Sequence, residues 1–182
     1  MLERTVGAYW KGVEGPRRDG VKVLRPLATG LVRAAWPVRV HDQEHVPASG
    51  PVILAANHTG FLDGPLLYAV MDRPVHAIVK QEMFKGVVGA VLTAAGQIAV
   101  DRFRVDPRAV KSALAVLDRG DVLAIYPEGT RGNGDFARIK PGVAYLALCT
   151  GAPVVPVACL GIRESGRSTN SLPRLRAGLD VV

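Results

Sequence analysis

The sequence predicts an α/β fold, a mixed, partly parallel sheet flanked by helices, with an N-terminal helical arm ahead of it. Three observations lead there. Short apolar runs bounded by glycine or proline alternate with stretches of helical spacing about ten residues long. Two of those runs end in polar loops carrying His, Asp, Glu and Arg, the arrangement expected at the carboxyl edge of an open sheet. The length, 182 residues, suits one domain with a proper core. We place the arm at residues 1–37 and the α/β domain at residues 38–182.

The elements follow in order. Residues 1–20 have no clean period and include the turn-forming cluster Glu14-Gly15-Pro16-Arg17-Arg18-Asp19-Gly20. Over residues 21–36, Val23, Leu24, Leu27, Leu31, Val32, Ala35 and Trp36 recur near helical spacing, interleaved with Lys22, Arg25 and Arg33. Pro26 would kink this helix or restart it. Val38-Arg39-Val40 reads as an edge strand and residues 42–50 as a loop. Val52-Ile53-Leu54-Ala55-Ala56, bounded by Gly50-Pro51, reads as a buried strand, and the helix after it opens with Asp63 as cap and Pro65 in its first turn. Val75-His76-Ala77-Ile78-Val79 is a strand closed by Lys80, so His76 is expected to be packed or solvent-facing rather than a ligand. Residues 86–95 make a small-residue helix, and residues 97–100 a short strand ending in Asp101-Arg102. Asp106-Pro107 starts a helix with Val110, Leu114 and Leu117 on one face and Gly120 as its stop. A strand at residues 122–125 precedes the flexible turn Gly132-Asn133-Gly134, a helix at 141–150 ended by Gly151, and a strand at 154–159. The tail 163–176 is basic and irregular, and Leu179-Asp180-Val181-Val182 begins another strand. Residues 141–162 carry no charge and could span a bilayer by length, but Gly151-Ala152-Pro153 and Pro156 break them into helix, turn and strand.

Composition narrows the partners. At 48% apolar and 21% charged the chain is globular in character, yet it carries a net charge of +7. Residues 1–40 hold eight Lys/Arg against Glu3, Glu14 and Asp19, a net +5, which leaves +2 for the rest. A basic arm suits an anionic partner, nucleic acid or a membrane surface. With 5% aromatic residues and no zinc-finger or helix-turn-helix pattern, nucleic acid is disfavoured. Trp10 and Trp36 both fall in the arm, and a basic amphipathic helix with tryptophan suits a membrane interface; a helix packed on the core with a solvated basic face is the alternative. Cys149 and Cys159 are expected to be small buried hydrophobes in a reducing compartment. Neither has metal-ligand spacing to a histidine, and no metal site is expected. The charged, polar start predicts no signal peptide.

The chemistry-bearing stretch is Asn57-His58-Thr59-Gly60-Phe61-Leu62-Asp63. On a regular helix His58 and Asp63 would stand about 140° apart. A strand–loop–helix corner instead lets the carboxylate reach the imidazole, fixing one ring nitrogen as N–H and leaving the other to accept a proton. The plainer reading is a loop histidine beside a capping aspartate. A second polar stretch, Tyr126-Pro127-Glu128-Gly129-Thr130-Arg131, follows the strand at 122–125 and is expected at the same sheet edge.

These two motifs, with Gly96-Gln97-Ile98-Ala99-Val100-Asp101-Arg102 between them and Val154-Val155-Pro156-Val157 afterwards, resemble in kind and order the glycerolipid acyltransferases of the PlsC type, also called 1-acylglycerol-3-phosphate acyltransferases. The resemblance covers roughly residues 38–182. It implies transfer of a fatty acyl group from a thioester of coenzyme A or acyl carrier protein to a lysophospholipid hydroxyl, foremost 1-acylglycerol 3-phosphate to give phosphatidic acid. No cofactor is implied. His58 would be the general base and Asp63 its orienting partner. The resemblance assigns Arg102, Glu128, Gly129, Thr130 and Arg131 to the glycerol-phosphate part of the acceptor and Pro156 to the acyl side. Guanidinium forks match phosphate oxygens two at a time. A Gly-x-Ser-x-Gly elbow is absent, so direct attack by the acceptor hydroxyl is expected rather than an acyl-enzyme.

Two departures bear on this. Ala99-Val100 stand where the family has an aromatic and isoleucine before Asp-Arg, which changes the neighbouring wall. The chain also ends soon after the fourth block, where relatives continue with further strands; either it is a compact member or its sheet lacks a C-terminal edge. The expected partners are the lysophospholipid, the acyl thioester and an anionic membrane surface, with a peripheral, monotopic location on the cytoplasmic face. Two other readings stay open: a His/Asp hydrolase of thioesters or phosphoesters, and a non-catalytic basic module that binds membranes.

Overall fold

The computed structural model describes residues 15–182. Trp10 and the first part of the arm lie outside the described residues. In chain order the elements are α1 (Val21–Ala35), β1 (Val38–Val40), β2 (Val52–Ala56), α2 (Asp63–Val70), β3 (Val75–Lys80), α3 (Gly86–Ala94), β4 (Ile98–Val100), α4 (Pro107–Asp118), β5 (Val122–Ile125), α5 (Gly142–Thr150), β6 (Val154–Val157), β7 (Cys159–Leu160) and β8 (Leu179–Val181). The main sheet has five parallel strands in the order β4-β3-β5-β2-β6. A smaller sheet, β1-β8-β7, pairs β1 with β8 in parallel and β8 with β7 antiparallel, so the mixture of directions expected from the sequence is confined there.

Parallel pairing forces long crossovers, and helices supply them on both faces of the sheet. The two-residue period of a strand divides the core accordingly. Val52, Leu54 and Ala56 face one side with Leu66, Leu67 and Val70 of α2, while Ile53 and Leu123 face the other with Ala113, Leu114 and Leu117 of α4 and Leu146 of α5. All five strands run the same way, so every loop leaving a strand opens on one edge.

Helix α1 is held to the body from both ends. Arg18, just before it, forks onto Asp121, with Nε at 2.9 Å from Oδ2, and Arg119 reaches the same carboxylate at 3.2 Å. Within the helix Arg25 donates to the Met71 carbonyl and Thr29 Oγ1 to that of Ala69 at 2.6 Å. Pro26 does not interrupt it; Pro26 and Lys22 lie on the exposed side, where water can take the bond the proline cannot make.

Trp36 corrects the expectation of an interfacial tryptophan. It ends α1 buried in the first core with its indole Nε1–H donated to the Arg174 carbonyl at 3.0 Å, because a large apolar ring with one polar atom packs best where that atom finds an acceptor. Val32 is buried beside it, yet Val23, Leu27 and Leu31 on the other side of α1 are exposed. One face of this helix therefore packs, and an apolar stripe remains uncovered among the described residues.

Smaller differences have local causes. The strand expected over 154–159 splits, since Ala158 exchanges backbone bonds with Val182 and carries the chain from the main sheet to the small one. Cys159 is buried but Cys149 only half so. His76 is packed, with Nδ1 2.7 Å from the Gly96 carbonyl, and burial lowers its pKa. No helix among the described residues is long and apolar enough to cross a membrane.

Asp106 caps α4 as expected, accepting from the Arg108 and Ala109 amides at 3.0 and 3.2 Å, with Pro107 in the first turn. Its other oxygen accepts from the Asp101 amide at 3.0 Å, and these bonds hold its pKa below the usual carboxylate value. Asp106→Ala should cost about 1 kcal/mol of stability. A urea unfolding midpoint that does not move would refute this.

Candidate active site

His58 leaves the carboxyl end of β2 on a loop that must turn sharply into α2. Gly60 makes the turn possible, because a Cβ there would stand 2.7 Å from the Ile162 side chain. The loop closes on Asp63, which opens α2 and is completely buried. One of its oxygens, Oδ2, accepts from the Thr59 amide at 2.8 Å and the Gly60 amide at 2.9 Å, and lies 2.8 Å from His58 Nδ1. The expectation of a capping role is thereby modified: Leu62 is the cap residue, and the carboxylate binds the loop before it instead. An oxygen already accepting two N–H bonds is an acceptor, so Nδ1 carries the proton. Nε2 then presents a lone pair, and it makes no hydrogen bond to a described residue. The ring lies stacked on Tyr126, centroids 4.2 Å apart and planes 23° from parallel.

The Glu128 loop meets this corner from β5. Glu128 Oε1 accepts the His58 backbone amide at 3.0 Å, and the Gly132 amide donates to the His58 carbonyl at 2.8 Å. Gly129 sits at φ +70°, a left-handed turn that favours glycine, and a Cβ there would press into the Lys140 side chain at 2.6 Å. Glu128, expected at the acceptor, thus also holds the histidine loop through Oε1. Arg102, exposed at the end of β4, leans over the same turn with Nη1 3.4 Å from the Gly129 carbonyl. Arg131 stacks its guanidinium over Phe61, 5.4 Å from the ring centre, and donates to Asn170 Oδ1 at 2.6 Å. Thr130 is exposed beside it.

The structure thus brings together His58, Asp63, Glu128, Gly129, Arg102 and Arg131. Pro156 is exposed on the edge strand β6, in register with Ala55 of β2, the strand that leads to His58. Four contributors were not singled out from sequence. Asn57 joins β2 to β7 by bonds with Cys159 at 2.7 and 3.1 Å, Tyr126 supports the ring, and Phe61 and Asn170 position Arg131. Asn57, Phe61 and Tyr126 lay inside the motif stretches; Asn170 sits in the irregular tail and left no signal.

Burial pushes the Tyr126 hydroxyl well above its ordinary pKa, and burial raises that of the Cys159 thiol. Both stay protonated at neutral pH. Among the described residues no three His, Cys, Asp or Glu side chains converge as a metal site would require. An open cleft of about 810 Å³ runs along the β4 edge, lined by Arg17, Gln97, Arg104 and Asp106; it contains neither His58 nor Asp63. Side-chain chemistry, rather than cleft size, makes the His58 corner the candidate site.

A family model described as Acyltransferase matches residues 37–160. The chain is 30% identical over 145 residues to a 1-acyl-sn-glycerol-3-phosphate acyltransferase of Bacillus subtilis, covering 79% of this chain and 69% of that protein. It is 31% identical over 135 residues to one of Borreliella burgdorferi, covering 72% of this chain and 54% of that protein. The crystal structure of PlsC, a 1-acyl-sn-glycerophosphate acyltransferase from Thermotoga maritima, matches the whole chain at a TM-score of 0.66 and 23% identity, over 70% of its own length. That likeness speaks for the fold. The chain therefore spans from about half to just over two thirds of the length of these relatives.

Proposed function

Since this chain belongs to the acyltransferase family, we propose that it transfers a fatty acyl group from a thioester to the free hydroxyl of a lysophospholipid, foremost 1-acylglycerol 3-phosphate. The observation that carries the mechanism is the His58–Asp63 contact, with Nδ1 2.8 Å from a buried carboxylate oxygen and Nε2 left open. In this reading the acceptor hydroxyl gives its proton to Nε2 as its oxygen attacks the thioester carbonyl. Asp63 balances the imidazolium charge that forms. Collapse of the tetrahedral intermediate expels the donor thiolate, which His58 can reprotonate. Coenzyme A and acyl carrier protein remain alternative thioester carriers, and no cofactor enters.

Arg102 and Arg131 are the proposed phosphate ligands. Arg131 is presented at the loop by Phe61 and Asn170, and Arg102 from across the Gly129 turn. Replacing either with alanine should raise the acceptor KM more than that of the donor, by about tenfold to a hundredfold, the worth of a charge-assisted bond. Equal losses on a phosphate acceptor and on an uncharged alcohol would remove this role.

The exposed stripe Val23, Leu27 and Leu31, flanked by Lys22 and Arg33, supports peripheral docking of α1 on an anionic membrane at its cytoplasmic face. The deciding experiment is incubation with a long-chain acyl thioester, with and without lysophosphatidic acid. Thiol release that requires the acceptor supports transfer. Release with water alone would make the protein a hydrolase, and no release would make it a binding module.

A further inference from the structure

Beyond Arg102, the loops that leave β4 and β5 carry side chains the proposed chemistry does not use. Residues 102–105 read Arg-Phe-Arg-Val and residues 138–140 read Arg-Ile-Lys. Apolar side chains in loops normally tuck under, but Phe103 is 83% exposed, Val105 91% and Ile139 65%. The two loops bracket one turn: Arg102 Nη1 lies 3.4 Å from the Gly129 carbonyl, and the Lys140 amide donates to the Pro127 carbonyl at 2.8 Å. Glu128, between those carbonyls, is the residue that holds His58. Both loops therefore stand at the mouth of the site, on the carboxyl edge of the sheet.

Asp101 and Asp106 are half-buried, the first accepting from the Phe103 amide at 2.9 Å and the second capping α4, while the exposed Asp135 accepts from the Ala137 amide at 3.1 Å. The bases Arg104, Arg138 and Lys140 are exposed. A surface that alternates exposed cations with exposed apolar side chains complements a bilayer with anionic headgroups over an apolar interior. An acidic protein would satisfy the cations but would leave Phe103, Val105 and Ile139 without an apolar phase.

We propose that loops 102–105 and 138–140 form a second docking rim, separate from α1, that seats the site mouth directly on an anionic bilayer. The rim deepens the lipid-substrate reading given above and rests on it for its purpose. Its consequence is that a lysophospholipid need only lift its headgroup to reach His58.

The test is co-sedimentation with vesicles of equal phosphatidylglycerol and phosphatidylcholine, at low and high salt, using the full chain. Phe103→Asp/Val105→Asp/Ile139→Asp should weaken vesicle binding by about tenfold or more, because three apolar contacts are lost and three repelling charges added. Its melting temperature and its turnover of short, water-soluble substrates should not change, since these side chains touch neither core nor site. Arg104→Gln/Arg138→Gln/Lys140→Gln should weaken binding and flatten its salt dependence. Unchanged vesicle binding in both variants would overturn the rim, as would a loss confined to Leu27→Asp/Leu31→Asp in α1. A rim variant that binds vesicles normally but loses self-association, or shows a raised KM for acyl carrier protein, would assign the surface to a second copy or to the carrier and likewise overturn it. Wild-type protein that binds vesicles through the rim yet transfers no acyl group would support the rim while sinking the enzymatic reading.

Discussion

Replacing His58 with alanine should lower acyl transfer by about 10²-fold or more, with little loss of stability, since a positioned general base is typically worth 10²–10⁴-fold. The ring makes few structural contacts: one bond to Asp63 and a stack on Tyr126. The backbone bonds of residue 58, to Glu128 and Gly132, do not depend on the side chain and remain in the variant. Asp63 keeps the Thr59 and Gly60 amides, so its burial stays compensated. Binding of both substrates should be nearly unaffected, because the proposed phosphate ligands are Arg102 and Arg131. The measurement is kcat and KM for donor and acceptor beside a thermal melt. Retention of more than about a tenth of wild-type kcat would show that the proton goes elsewhere.

Much of this site was readable because its chemistry is local in sequence. His58 and Asp63 are five residues apart, and the apolar run before them declares a strand whose end must present the loop. The alternation of runs declared the α/β layers, and Asp106-Pro107 declared the start of α4. What escaped depends on contacts distant in sequence. Glu128 reads as a ligand by its motif, and its bond to the His58 amide, 70 residues away, could not be read from it. Trp36 follows a helix whose apolar arc covers half its girth, and only one border of that arc, with Arg25 and Thr29 beside it, packs on the body, which period alone does not reveal. The Arg174 carbonyl that receives its indole lies 138 residues on. Ala158 looks like the interior of one strand, and only its pairing with Val182 shows that the strand changes sheets. The outward apolar residues of the 102–105 loop were likewise invisible, since exposure of a short alternating stretch is decided by the turn that Asp101 and Asp106 impose.

Two substitutions at Asp63 should separate its electrostatic work from its structural work. Asparagine keeps a carbonyl oxygen where Oδ2 stands, able to accept from the Thr59 and Gly60 amides and from His58 Nδ1–H. Its amide group would fall near Thr59 Oγ1, now 3.4 Å from Oδ1, a hydroxyl that can accept as well as donate. Geometry and tautomer therefore survive in Asp63→Asn, while the charge that balances the imidazolium is gone. That variant should melt near the wild type and lose about tenfold to a hundredfold in kcat, less than His58→Ala, with KM for the acceptor little changed. Asp63→Ala instead leaves the buried Gly60 amide without an acceptor, at about 1–3 kcal/mol, and the half-buried Thr59 amide too, at less. It should unfold at clearly lower urea and lose activity through the loop as well as through the ring. If both variants keep wild-type kcat, the aspartate is only a loop clasp and the base needs no counter-charge. If Asp63→Asn destabilises as much as Asp63→Ala, the carboxylate is required for the fold itself, and its catalytic share must be measured on His58 in a double-mutant cycle.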